Sequence, residues 1–192
     1  AKVGMTLAQG AEITTSKDAQ MSLLVHEGIV AVLAGSTEVG LEKISVNGNG
    51  TRSAMLNLKT GNLASSLDPE KKSINNYGVR TAKGVAMARG TDLTVTVNGN
   101  VYLVAVLNGT VTVNWGGQSV SITGSTANAV TTNDNGVTTS GSLGAAMSAG
   151  GSAGLTDALT AAAAAVATTA TSTAQITSLI NTIAAAAGTS ST

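Results

Sequence analysis

The chain has 192 residues, with ten Lys and Arg balancing ten Asp and Glu, one His and no Cys. The missing thiol excludes a disulfide framework and a cysteine nucleophile and argues against a structural zinc site. Charged residues make up 10% of the chain, against roughly 25% in ordinary soluble proteins. There is no basic patch and few aromatic rings, so nucleic acid is not an expected partner.

The hydrophobic residues are Ala, Val, Leu and Ile, with no Phe, one Trp and two Tyr. Such a core must be built from thin aliphatic layers. All ten cations lie at or before Arg89, and only Asp92, Asp134 and Asp157 carry charge after it. The remaining surface is Thr, Ser, Asn and Gly. It is neutral and hydrogen-bonding, offers little repulsion between copies, and so favours association. The chain opens with AKVG and no initiator Met. With this composition, the expectation is an exported protein whose signal peptide has been removed, located outside the cell or at its surface.

Taken in order, Val3, Met5 and Leu7 alternate, and Gln9-Gly10 turns the chain toward Ala11 and Ile13. Met21, Leu23 and Val25 alternate again, Glu27-Gly28 is a turn, and Ile29–Leu33 is apolar. Val39–Val46 reads as one or two strands, closed by Asn47-Gly48-Asn49-Gly50, whose residues tolerate positive φ. Met55, Leu56 and Leu58 lead to a turn at Thr60-Gly61. The only proline lies in Leu67-Asp68-Pro69-Glu70-Lys71-Lys72, read as a solvated loop within 63–77. Turns every eight to ten residues (~8–12 is the sandwich signature) point to an all-β fold.

The most patterned stretch is 93–123. Leu93, Val95 and Val97 alternate with Thr, Asn98-Gly99-Asn100 turns, and Tyr102, Val104 and Val106 alternate. Asn108-Gly109 reads as a two-residue hairpin turn, pairing Val106 with Val111 and Val104 with Val113. Gly116-Gly117 reads as the next, pairing Val113 with Val120 and Val111 with Ile122. The expectation is a meander of three to four strands. Asn133-Asp134-Asn135-Gly136 reads as a further hairpin turn, with too few carboxylates for calcium.

Val79, Thr81, Gly84, Val85 and Ala86, followed by Arg89-Gly90-Thr91-Asp92 and alternating Val95 and Val97, resemble the FecR-like domain family. Leu56-x-Leu58-x-x-Gly61-x-Leu63 resembles its middle repeat, and Val104-x-Val106-x-x-Gly109-x-Val111 its closing one. The resemblance spans about 1–140 and implies an all-β periplasmic or extracellular domain. The best-known members relay a signal from an outer-membrane receptor to a sigma factor through a cytosolic segment and a transmembrane helix, and neither part is seen here. The resemblance therefore carries the fold rather than the signalling. Thr81, Gly84, Arg89, Gly90 and Thr91 are expected to be structural, with the Arg89 guanidinium ordering the Gly90-Thr91 corner.

Residues 140–154 form a Gly/Ser/Ala linker. Beyond it, 155–188 reads as a long apolar helix with Thr156 as N-cap and Gly188 as stop. Leu159, Val166, Ile176, Leu179, Ile180 and Ile183 supply a side that could hold neighbouring copies together. Thr and Ser interrupt every apolar run, so this segment is not expected to span a membrane. Chemistry is sparse. His26 is solitary beside a turn, no nucleophile–base pair is evident, and only Glu12, Asp18 and Glu38 suggest carboxylates that could meet in space.

The expected architecture is thus a mainly β FecR-like domain over 1–139, a linker over 140–154, and an assembly tail over 155–188, with no catalysis, metal or cofactor. The leading expectation is a secreted structural protein that polymerises with copies of itself through the tail and edge strands. The alternative is a periplasmic sensing or binding module that docks to a receptor or another cell-envelope partner.

Overall fold

The computed structural model describes residues 2–99, 101–124, 128–132 and 138–142. The fold is mainly β, as the alternation implies. In chain order the strands are β1 (Glu12–Thr14), β2 (Met21–His26), β3 (Ile29–Leu33), β4 (Glu38–Val46), β5 (Arg52–Leu67) and β6 (Asn75–Thr81). There follow β7 (Gly84–Ala88), β8 (Asp92–Asn98), β9 (Val101–Trp115), β10 (Gln118–Gly124), β11 (Asn128–Thr132) and β12 (Thr138–Ser142). Strand β12 thus extends three residues past the expected domain end. The tail expectations on Leu159, Val166, Ile176, Leu179, Ile180 and Ile183, and the turn expected at 133–136, lie outside the described residues.

The strands make two sheets that share two long strands. Sheet A runs β1-β4-β5-β6-β7-β9-β10, antiparallel except for the parallel β5–β6 pair. Sheet B runs β2-β3-β5-β8-β9-β11-β12, antiparallel throughout. The first half of β5 belongs to sheet A up to Thr60, and the second half joins sheet B from Gly61. Strand β9 crosses the other way: it pairs with β8 as far as Asn108, then with β10 from Gly109. Alternate residues from the two sheets face each other. Leu56, Leu58, Val79, Val111 and Val113 of sheet A meet Leu33, Leu63, Leu93, Val95 and Val104 of sheet B in one core.

Two expected turns are therefore kinks inside long strands. A two-residue hairpin of the favoured type needs positive φ at both central residues. Gly116 and Gly117 have φ of +57° and +78°, and they form the hairpin in the expected register, with Val113 opposite Val120 and Val111 opposite Ile122. Asn108 and Thr60 keep negative φ, and only Gly109 and Gly61 turn positive, at +82° and +93°. A single such residue bends the strand without reversing it. Val106 consequently lies opposite Leu93 instead of Val111, and Val111 opposite Ala88.

The first expected strand is also absent. Gly4 at φ +81° breaks the run, the Met5 amide donates to the Lys2 carbonyl at 3.2 Å, and Val3 and Met5 are exposed. Only Leu7 of the three packs against the core. The solvated loop is shorter than expected and spans 68–74, since β5 continues to Leu67 and β6 begins at Asn75. Asp68 caps its single 3-10 turn by accepting from the Glu70 amide at 2.9 Å.

Candidate functional site

The residues of the Arg-Gly-Thr motif meet where β7 passes into β8 under the kink of β9. Thr91 is buried, with Oγ1 3.0 Å from both the Arg89 and Thr110 carbonyls, its one proton shared between them. Gly90 has φ +60° and lies so close to Pro69 that a Cβ would come within 2.8 Å of the proline Cα. Arg89 itself is exposed, and its guanidinium makes no hydrogen bond or ion pair among the described residues. The corner is ordered by the Thr91 hydroxyl, and the arginine contributes only its backbone carbonyl.

Thr81 closes the β6–β7 hairpin. Its Oγ1 accepts from the Lys83 amide at 3.3 Å and donates to the Gly84 carbonyl at 3.4 Å. Gly84 lies opposite Trp115, and a Cβ there would run into the indole ring and the Asn114 carbonyl. The absent side chain lets Trp115 sit edge-on to Tyr102, with ring centroids 6.3 Å apart. The Lys83 ammonium lies 5.9 Å from the Tyr102 centroid and caps this end of the sandwich.

The motif corner has a counterpart in the first half of the chain. Thr37 is buried where β3 passes toward β4; its Oγ1 accepts from the Asn62 amide at 3.0 Å beside the Gly61 kink. Thr15 extends this corner, accepting from the Thr37 amide at 2.9 Å and donating to the Ala34 carbonyl at 2.6 Å. Hence β2-β3-β4-β5 and β6-β7-β8-β9 are two copies of one arrangement: a hairpin, a threonine corner, and a long strand kinked at glycine. The motif makes the fold and does not form a ligand pocket.

The polar groups elsewhere form ion pairs. Glu12 and Glu38 do meet, but around Lys59, each 2.9 Å from its ammonium. Hydrogen bonding to Glu38 and then Glu12 raises the Lys59 pKa. Asp18 is exposed and is not paired with them. Glu27 receives Lys71 and, at 2.8 Å, Arg52, and these hydrogen bonds, Lys71 first, hold its carboxyl below the usual range. That pairing ties the charged 68–74 loop to the β2–β3 turn, where the Asp68 amide also donates to the Gly28 carbonyl at 2.9 Å. Among the described residues no group of three His, Cys, Asp or Glu is placed to hold a metal. Nor is any helix among them long and apolar enough to cross a membrane.

One concave feature stands apart from these structural contacts. A groove of about 560 Å³ runs between the N-terminal segment and β2, lined by Met5, Leu7, Leu23, His26, Leu41 and Ile44 among others. Strand β2 pairs only with β3 among the described residues, so its other edge borders this groove. Leu24, at its centre, is 76% exposed. The His26 Nε2 atom is buried without a hydrogen-bond partner. Sequence reasoning placed His26 beside a turn but missed the groove, because the N-terminal residues that form its far wall alternate as a strand does.

Comparison with known proteins agrees with the β fold. The FecR protein family matches residues 11–112, and no curated protein matches. Two crystal structures of a candidate anti-sigma factor from Parabacteroides distasonis ATCC 8503, at 1.65 and 2.50 Å, are similar, with TM-scores of 0.58 and 0.57. Both are 15% identical over 69% of this chain, which aligns with only 59% of that protein. At this identity the likeness is one of fold. The match over more than half of the residues places this chain in the FecR family.

Proposed function

We propose that this chain is an exported binding module of the cell envelope, which docks an extended segment of a partner polypeptide along the free edge of β2. The observation that carries this reading is the groove. It exposes an unpaired strand edge, an outward Leu24 and apolar walls at Leu23, Leu41 and Ile44, beside one unpartnered polar atom at His26. Strand addition draws affinity from main-chain hydrogen bonds and specificity from pockets for alternate side chains. A partner strand with alternating apolar residues fits those walls. Membership of the FecR family supports docking over catalysis, and nothing in the described site supplies a nucleophile and base.

A second reading, self-assembly, keeps a specific observation in its favour. Val3, Met5, Leu24 and Val46 are large apolar side chains left exposed on a chain of zero net charge. Such edges favour pairing between copies. Light scattering of the full chain beside Leu24→Arg separates the two readings. A docking module scatters as a monomer near 18.7 kDa in both forms, and a peptide selected on the full chain loses at least tenfold in affinity to Leu24→Arg. Polymers of the parent that dissolve in Leu24→Arg would replace docking with self-assembly.

A further inference from the structure

The outward face of sheet B is buried along β3, β5, β8 and β9 although no described strand covers it. Core-facing and outward residues alternate along its strands, and registry places the outward ones in rows. One row runs Ser22, Val32, Ala64, Thr94, Ala105, in register with Ala129 and Gly141. The next runs Ala34, Asn62, Thr96 and Leu103. Ala64, Thr94 and Ala105 are fully inaccessible, and Val32 and Leu103 nearly so. Val30, Val32, Ala34 and Ala64 form an apolar cluster separate from the main core. Every described strand belongs to sheet A or sheet B, and sheet A packs on the opposite face. Among the described loops, 16–17 approach at Gly35 and 68–71 at Gly28.

We infer that this face is the docking surface for the chain's own segment 155–187. Four observations commit it to that occupant. Strand β12 is the edge strand of sheet B among the described residues and ends at Ser142, and residues 143–192 follow. The Gly/Ser/Ala stretch that comes first is long enough to turn back over the sheet. Segment 155–187 then spans about 50 Å even if fully helical, against about 30 Å for seven strands at ~4.8 Å spacing. Its chemistry matches: one charge, Asp157, and otherwise Ala, Thr and aliphatic residues with two Ser, one Gln and one Asn, set against a face of Val, Ala, Thr, Leu and one Asn without a charge in its central row. Burial ends at β2, where Ser22 and Leu24 are open, as expected of a cover that enters from the β12 side. The tail is then part of the domain's own packing, and the face beneath it is an apolar surface that another copy could occupy only by displacing it.

Methyl-labelled full chain tests this directly. Nuclear Overhauser contacts are expected between the Ile176, Ile180 or Ile183 methyls and those of Val32 or Leu103, within one molecule. Thr94→Arg, which puts a charge in the central row, should abolish them while core shifts such as those of Leu56 and Val79 persist. Absence of such contacts in the unsubstituted chain would overturn the inference. So would contacts seen only between differently labelled copies, which would assign the face to a second molecule. Neither result depends on what occupies the β2 groove.

Discussion

Gly109 packs directly against Thr91: a Cβ on the glycine would come within 2.7 Å of the Thr91 Oγ1 and 2.8 Å of the Gly90 carbonyl. The same relation holds between Gly61 and Thr37, where a Cβ would meet the threonine Cα and hydroxyl. These two contacts fix the points at which β5 and β9 leave one sheet for the other. Gly61→Ala and Gly109→Ala each combine a left-handed backbone with overpacking against a buried threonine. Each is expected to cost about 2–4 kcal/mol, read as a fall in the denaturation midpoint with an unchanged m-value. A loss under about 0.5 kcal/mol would mean the crossing does not need glycine.

Ser36 is the one non-glycine residue among those described with positive φ, at +55°. It precedes Thr37 as Gly90 precedes Thr91. Ser36→Gly relieves a left-handed strain of roughly 1–2 kcal/mol and regains some chain entropy cost. A net stabilisation of about 0.5 kcal/mol is expected from chemical denaturation.

Tyr77 is buried in sheet A, and its hydroxyl lies 2.6 Å from Ser65 Oγ in sheet B, a polar bond across the core. Tyr77→Phe or Ser65→Ala alone should each cost about 1–2 kcal/mol, because the partner is left buried and unpaired. The double variant should cost less than the sum. Burial raises the phenol's pKa, with the Ser65 hydrogen bond opposing. The unfolded chain therefore releases this proton at lower pH than the folded one. Stability is retained below the ordinary tyrosine value near 10 and falls as pH rises beyond it. Tyr77→Phe should flatten that alkaline decline in pH-dependent unfolding.

Asp92 accepts from Ser66 Oγ at 2.6 Å. Burial raises its carboxyl pKa, outweighing the Ser66 and Asn108 hydrogen bonds. A raised carboxyl favours folding while protonated, and that contribution is lost as pH rises through the folded value. Asp92→Asn, which keeps an acceptor for Ser66, is expected to unfold at higher denaturant than the parent at pH 7. The gap should close near pH 3, and a gap that widened in acid would refute the assignment.

How much of this was legible beforehand depends on backbone sign rather than hydrophobic pattern. The alternation of Leu93, Val95 and Val97 gave the correct faces, and Gly116-Gly117 the correct hairpin, because two consecutive glycines leave little choice. Asn108-Gly109 and Thr60-Gly61 carry the same turn signal in one dimension. What decides them is whether the first residue also turns positive, and the Thr91 and Thr37 corners settle that from more than fifteen residues away. The resemblance of the Leu56–Leu63 and Val104–Val111 stretches already held the clue that both are one kinked strand. At the β2 groove, alternation of Val3, Met5 and Leu7 suggested a strand that Gly4 prevents, so the free edge was hidden. The role of Arg89 was misplaced for a similar reason: a motif shows which residues recur, and only the corner shows that the threonine makes the bonds.

The docking proposal is tested most directly by amide hydrogen exchange on the full chain, alone and with a strand-forming peptide selected against it. The account predicts that those amides of 22–26 that point away from β3 exchange readily in the free chain and slow at least tenfold on binding, with loss of that protection in Leu24→Arg. Protection confined to other strands, or free-edge β2 amides already slow in a dilute monomer, would contradict it.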